Sequence, residues 1–251
     1  MEYSGSLRKM RTKLIGTHAH YTLPIGEEKI DMSQLIGKNI SFHYQGDIFC
    51  IKCGAKTKKS FAQGFCYSCF ITAPETEECV LRPELCQAHN GIARDMEYAK
   101  RHCLSDQYVY LAVSSGLKVG VTRSSQIPTR WIDQGASYAM IIAIAPNRHT
   151  AGLIEVALKD IFADKTNWQR MLKNQLPAPI DLAQERERAK LHLPENLRSF
   201  IIQDKQVQNI VYPVLQYPPK IKAVNFDKEA DFEGKFAGIK GQYMLFGTGH
   251  V

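Results

Sequence analysis

The side chains most suited to chemistry in this sequence are its seven cysteines, all of which fall between Cys50 and Cys103. In CIKCGAKTKKSFAQGFCYSC, Cys50 and Cys53 form one pair, and Cys66 and Cys69 form a second, twelve residues further along. A two-residue gap lets both thiolates of a pair point inward from one tight turn, and two such turns supply the four ligands of tetrahedral zinc. Gly54 and Gly64 stand where such knuckles use left-handed or crowded backbone. Four protein ligands close the coordination shell, so this zinc is expected to be structural. Lys52, Lys56, Lys58 and Lys59 decorate the loop, either as phosphate contacts or as a solvated basic face. Cys79, Cys86 and Cys103 suggest a second zinc site whose fourth ligand is open, with His89 able to close it from a loop, although their spacing fits no tight knuckle. His102 adjoins Cys103, and Cys86 or Cys103 are alternatively plain buried cysteines.

A different chemistry is suggested by GLKVGVTRSSQIPTRW, residues 116–131. A core strand does not need Lys118, and Gly120 weakens a strand unless something approaches its backbone closely. Thr122, Arg123 and Arg130 follow, so the stretch raises the question of what its lysine, glycine and arginines serve. The elements that must position it are legible. YVYLAV (108–113) is a strand, SSG a turn and LKVGVT (117–122) a second strand, which together predict a hairpin. Pro128 suits the first turn of a short helix, PTRWIDQ, which Gly135 stops. SYAMIIAIA predicts a third, buried strand. Ile154, Ala157, Leu158, Ile161 and Phe162 recur at helical spacing and predict an amphipathic helix from about Thr150 to Phe162.

This strand–strand–helix–strand–helix order, with these residues in place, resembles the GIY-YIG nuclease domain over about 65 residues. VYL takes the place of the first tripeptide and KVG that of the second, as in phage-type members with lysine there. Trp168 in NWQRML is similar to the end of that branch. The resemblance implies a catalytic set of Tyr110, Lys118, Arg130 and Glu155, with Lys118, Thr122, Arg123 and Arg130 on nucleic acid. It implies that Glu155 holds Mg(2+) or Mn(2+), that Arg130 neutralises charge on the phosphoryl group, and that Tyr110 orients or deprotonates water. Gly120 would let the substrate or the glutamate helix come close. The chain departs from the pattern in three places. Val119 replaces the second tyrosine, Gln134 stands where histidine or tyrosine is common, and Asn167 and Asn174 compete for the late asparagine. Each residue also has a plainer role open to it. Glu155 can pair with Lys159, Tyr110 can simply pack, and Arg130 can pair with Asp133.

Charge is uneven: +5 over residues 1–60, −2 over 61–104, +3 over 105–175 and +1 over the remainder. Two basic patches suit a polyanion such as nucleic acid, and they are also common in basic soluble proteins. The longest apolar run, YAMIIAIA, is far short of the roughly 20 residues of a membrane helix. No apolar segment follows the basic residues of MEYSGSLRKMRTK, so a cytoplasmic protein with reduced cysteines and no membrane partner is expected.

The expected class is α+β. A zinc ribbon and a GIY-YIG-like β-β-α-β-α unit are flanked by a β module formed from both termini, where QLIGKNISFHYQG and EGKFAGIKGQYMLF show glycine-broken apolar alternation. The expected segments are an N-terminal β segment (1–45), a zinc-binding segment (46–104), the GIY-YIG-like domain (105–175), a linker with helices (176–205) and a C-terminal β segment (206–251). End to end, FCIKCGAKTKKSFAQGFCYSC, RPELC, LKVGVTR, IPTRWIDQGA, AGLIE, DKTNW and EGKFAGIKGQY resemble a bacterial family known only as a domain of unknown function. In that family's pattern a cysteine usually stands where this chain has Ala93. The functional expectation is a divalent-metal-dependent nuclease. The alternatives are a zinc-stabilised nucleic-acid-binding protein that no longer cuts, and a protein-interaction module.

Overall fold

The apolar run of YVYLAV exceeds what a half-exposed strand needs, and the fold explains it: this strand is covered on both faces. The structure is a computed structural model describing residues 1–251. It is an α+β fold built on three antiparallel sheets and one short ribbon. Strands β1 (Arg11–Ile15), β2 (His18–Ile25) and β3 (Glu28–Asp31) form a meander. Strand β4 (Asn39–His43) leaves it to pair with a strand close to the C-terminus, as given below. The cysteine segment holds the two-residue ribbon β5 (Ile48–Phe49) and β6 (Lys56–Thr57), then helix α1 (Tyr67–Thr72), a series of single 3-10 turns and helix α2 (Met96–His102).

Next come β7 (Gln107–Val113), β8 (Leu117–Arg123), α3 (Thr129–Asp133), β9 (Tyr138–Ala145) and α4 (Arg148–Leu158). The hairpin register places Tyr110 opposite Gly120 and Ala112 opposite Lys118. Helix α4 starts earlier than its apolar spacing predicts, because Asn147 caps it by accepting from the Thr150 amide at 2.8 Å. It also ends earlier, at Leu158. There the chain turns off to cover the outer edge of β8, and the Ala163 carbonyl accepts from the Val119 amide at 2.9 Å.

Helices α5 (Trp168–Leu172), α6 (Leu182–His192) and α7 (Glu195–Arg198) follow. Strand β10 (Gln208–Asn209) adds to β9, giving a sheet ordered β10-β9-β7-β8 with β8 at one edge. Strands β11 (Asp231–Lys240) and β12 (Tyr243–Phe246) close the chain as a hairpin, and β4 lies along β11 with Phe42 opposite Phe232. The N-terminal strands are therefore divided: β1–β3 is its own sheet, and β4 alone joins β11 and β12.

Strand alternation sends the side chains of β7 into two cores. Val109, Leu111 and Val113 meet Ile154 and Leu158 of α4, Leu182 and Ala189 of α6, and Leu193 just after it. Tyr110 and Ala112 meet Trp131 and Ile132 of α3, with Tyr21 and Leu23 of β2 and Phe236 and Ile239 of β11 in the same core. Asp133 fastens this side. It pairs with Lys9 and accepts from Gln242 Nε2 at 2.7 Å, and Gln242 is bound in turn to the Met10 backbone. No helix is long and apolar enough to cross a membrane.

Candidate active-site cleft and cysteine centres

Beside the outer edge of β8 lies a polar cleft of about 80 Å³. Tyr110, Lys118, Arg130 and Glu155 all line it, so four side chains from β7, β8, α3 and α4 are brought together. Lys118 is only 5% exposed, and burial, reinforced by the nearby Arg130, lowers its ammonium to about 8 against the partial opposition of Glu155 and Asp164. Burial likewise raises the Glu155 carboxyl, and Lys159 pulls the other way from 3.8 Å. The Tyr110 phenol is fully buried and donates to Gln134 Oε1 at 2.9 Å; burial raises its pKa and Arg130 opposes the rise.

Several expectations are corrected here. Gly120 lines the cleft and also admits the Tyr110 ring rather than the glutamate helix: a Cβ there would sit 2.6 Å from the Tyr110 hydroxyl. Arg130 is not held by Asp133, which pairs with Lys9. Thr122 and Arg123 do not line the cleft. Thr122 is buried opposite Tyr108, and Arg123 stands at the far end of β8 with Tyr98, Arg148 and Cys103 as its charged neighbours. Neither asparagine reaches the cleft: Asn167 caps α5, and Asn174 accepts from the buried Lys240 ammonium at 2.7 Å. The plain pairing of Glu155 with Lys159 is present.

Other wall residues escaped the sequence reading. Asp164 is carried in by the edge-covering segment after α4, and Val80, Leu81 and Pro83 come from the cysteine segment. Gly152 marks where that segment docks, since a Cβ there would lie 2.1 Å from the Glu84 amide nitrogen. That glycine, inside an amphipathic helix, was the available sign of a close approach. A larger cavity of about 320 Å³, lined by His18, His20, Tyr21 and apolar neighbours, holds none of the predicted site residues.

Cys50, Cys53, Cys66 and Cys69 converge, with their sulphurs all within 4.8 Å of one another, an arrangement that can hold a metal such as zinc. The Lys52 amide approaches Cys50 Sγ at 3.4 Å, as expected where a turn folds its N–H over a thiolate. Cys79, Cys86 and Cys103 form a second such group, buried at the end of α2 and likewise able to hold a metal. His89, offered as a group that could close this site, is not among its members. Instead its exposed ring stacks on His149 with centroids 4.4 Å apart. His102 is also turned away: its Nδ1 lies 2.8 Å from the Tyr98 carbonyl.

Among known families, a model described as a protein of unknown function (DUF2797) matches residues 37–251. Comparison with curated proteins and with solved structures found no match.

Proposed function

The chain belongs to the DUF2797 family, and on that premise we propose that its cleft binds the phosphodiester backbone of nucleic acid and hydrolyses it in the manner of GIY-YIG nucleases. One observation carries this reading: Tyr110, Lys118, Arg130 and Glu155 meet on one polar cleft from four separate elements. The planar fork of Arg130 suits two phosphate oxygens, and the Lys118 ammonium adds a second cation beside them. Glu155, with Asp164 on the same cleft, offers the oxygen donors that Mg(2+) or Mn(2+) prefers. Such an ion, when bound, polarises the phosphodiester and steadies the leaving oxygen. Tyr110 is the group that would orient the attacking water, its hydroxyl exchanging Gln134 for that water.

Binding without cleavage is the second reading, and two observations favour it. The partner of Tyr110 is an amide, which cannot relay a proton at neutral pH. The Lys159 ammonium lies 3.8 Å from Glu155 and 3.6 Å from Asp164, where it competes with a metal ion for both carboxylates.

The test is incubation of the protein and a Glu155→Ala variant with labelled duplex DNA, single-stranded DNA and structured RNA, with Mg(2+) or Mn(2+) present. Cleavage by the parent alone is the expected outcome. Equal binding by both without cleavage selects the second reading. Phosphate contacts also require an affinity that falls steeply and log-linearly with salt. Absence of binding at low salt removes the nucleic-acid premise and leaves an acidic protein as the partner of the basic patches.

A further inference from the structure

We propose that Cys79, Cys86 and Cys103 form an open metal centre, in which three thiolates hold a thiophilic cation such as Zn(2+) and a small exogenous ligand, water or a free thiol, fills the fourth position. This inference is independent of the cleft's proposed activity. Three sulphurs within 4.8 Å of one another, packed with three alanines and Met96, form a donor set for a soft cation.

No fourth thiol completes the shell. Neither an imidazole nor a carboxylate joins the three thiols. Both nearby histidines are engaged elsewhere, His89 by stacking on His149 and His102 by stacking on Tyr98 with a contact to its carbonyl. The apolar side chains packed with the sulphurs are Ala88, Ala93, Ala99 and Met96. Three of these four are alanines, which donate nothing to a metal. Three protein donors with one position free is the arrangement zinc adopts where it takes up an exchangeable ligand, whereas four donors close it.

Charge points the same way. A divalent cation with three thiolates carries a single net negative charge, and the thiol protons pass to solvent on binding. Two guanidiniums lie near enough to match it, Arg123, which neighbours Cys103, and Arg148. Arg148 donates to the Cys79 carbonyl at 3.1 Å and the His102 carbonyl at 3.3 Å, and its backbone amide donates to the Cys103 carbonyl at 2.8 Å. Its Nε is buried without a hydrogen-bond partner.

The experiment is metal counting on the stripped and reloaded full chain, with Zn(2+) and then Co(2+) as the metal, for the parent and for Cys79→Ser, Cys53→Ser and His89→Ala. Two ions per chain are expected in the parent, one in each cysteine variant and two in His89→Ala. In Cys53→Ser, where the open centre alone is loaded, added 2-mercaptoethanol should shift the cobalt d–d absorption. X-ray absorption on the unsubstituted zinc protein is a measurement that needs no variant. It should find seven sulphurs shared between two zincs, with a light atom completing the set and no imidazole scattering. A single ion in the parent, loss of an ion in His89→Ala, imidazole scattering or cobalt bands indifferent to thiol would each overturn the proposal.

Discussion

The two cysteine centres are neighbours in sequence and differ in almost every structural respect. The first is carried by a two-residue ribbon and the start of α1, and of its four thiols only Cys50 is buried. Its lysines are spent on nearby acids, with Lys52 2.6 Å from Glu75 and Lys56 2.6 Å from Asp47, so these two sit in local pairs. The second centre is buried and joined to the cleft. Arg148 at the head of α4 binds its backbone, Pro83 and Glu84 press on Gly152 of the same helix, and Val80, Leu81 and Pro83 form part of the cleft wall. A metal at the first centre thus organises a loop, whereas the second centre organises one side of a candidate active site.

This contrast breaks or sharpens under substitution. The largest effect is expected from Gly152→Leu, whose side chain has only the Glu84 backbone to displace. Overpacking of about 3 kcal/mol corresponds to a melting temperature lower by about 6–12 °C in a chain of this size. Anion binding at the cleft should be lost with it, while Cys53→Ser should leave that binding within about twofold. Equal damage from both would end the distinction between the centres.

Arg148→Met comes next. It removes two charged hydrogen bonds to the Cys79 and His102 carbonyls, a loss of about 2 kcal/mol, or about 4–8 °C by calorimetry.

A smaller effect concerns pH. Lys118 is a cation below about 8 and neutral above it, so phosphate affinity at the cleft should fall as pH rises. The fall should be about tenfold between pH 7 and pH 9, and flat in Lys118→Met. Because folding depresses this ammonium below its unfolded value, the same group adds stability as pH climbs from about 8 towards about 10. Smallest of all is Lys52→Ala. It breaks an exposed pair at the first centre and should leave both melting temperature and cleft binding unchanged.

How much was legible in advance follows the range of the interactions involved. The CxxC pairs were readable because two thiols three positions apart in one turn are adjacent whatever the rest of the chain does. The hairpin β7–β8, the short helix before Gly135 and the helix bearing Glu155 were readable for the same reason, since alternation, helical spacing and turn residues are local. Where a local signal competes with a neighbour, the reading failed. Gly120 lines the cleft but also accommodates the Tyr110 ring, two strands being needed to see it. His89 lies three residues from Cys86, yet its ring faces His149 on another element.

The sequence by itself therefore determined the residue types, the first metal knuckle and the order of strands and helices, all of which rest on contacts within a few residues. Only the tertiary structure decided that β4 pairs with β11 across the whole chain, that Asp164 and the 80–83 segment wall the cleft, and that Cys79, Cys86 and Cys103 group without His89. These depend on which surfaces bury one another, and burial is settled by the whole chain at once, so no single stretch of residues encodes it.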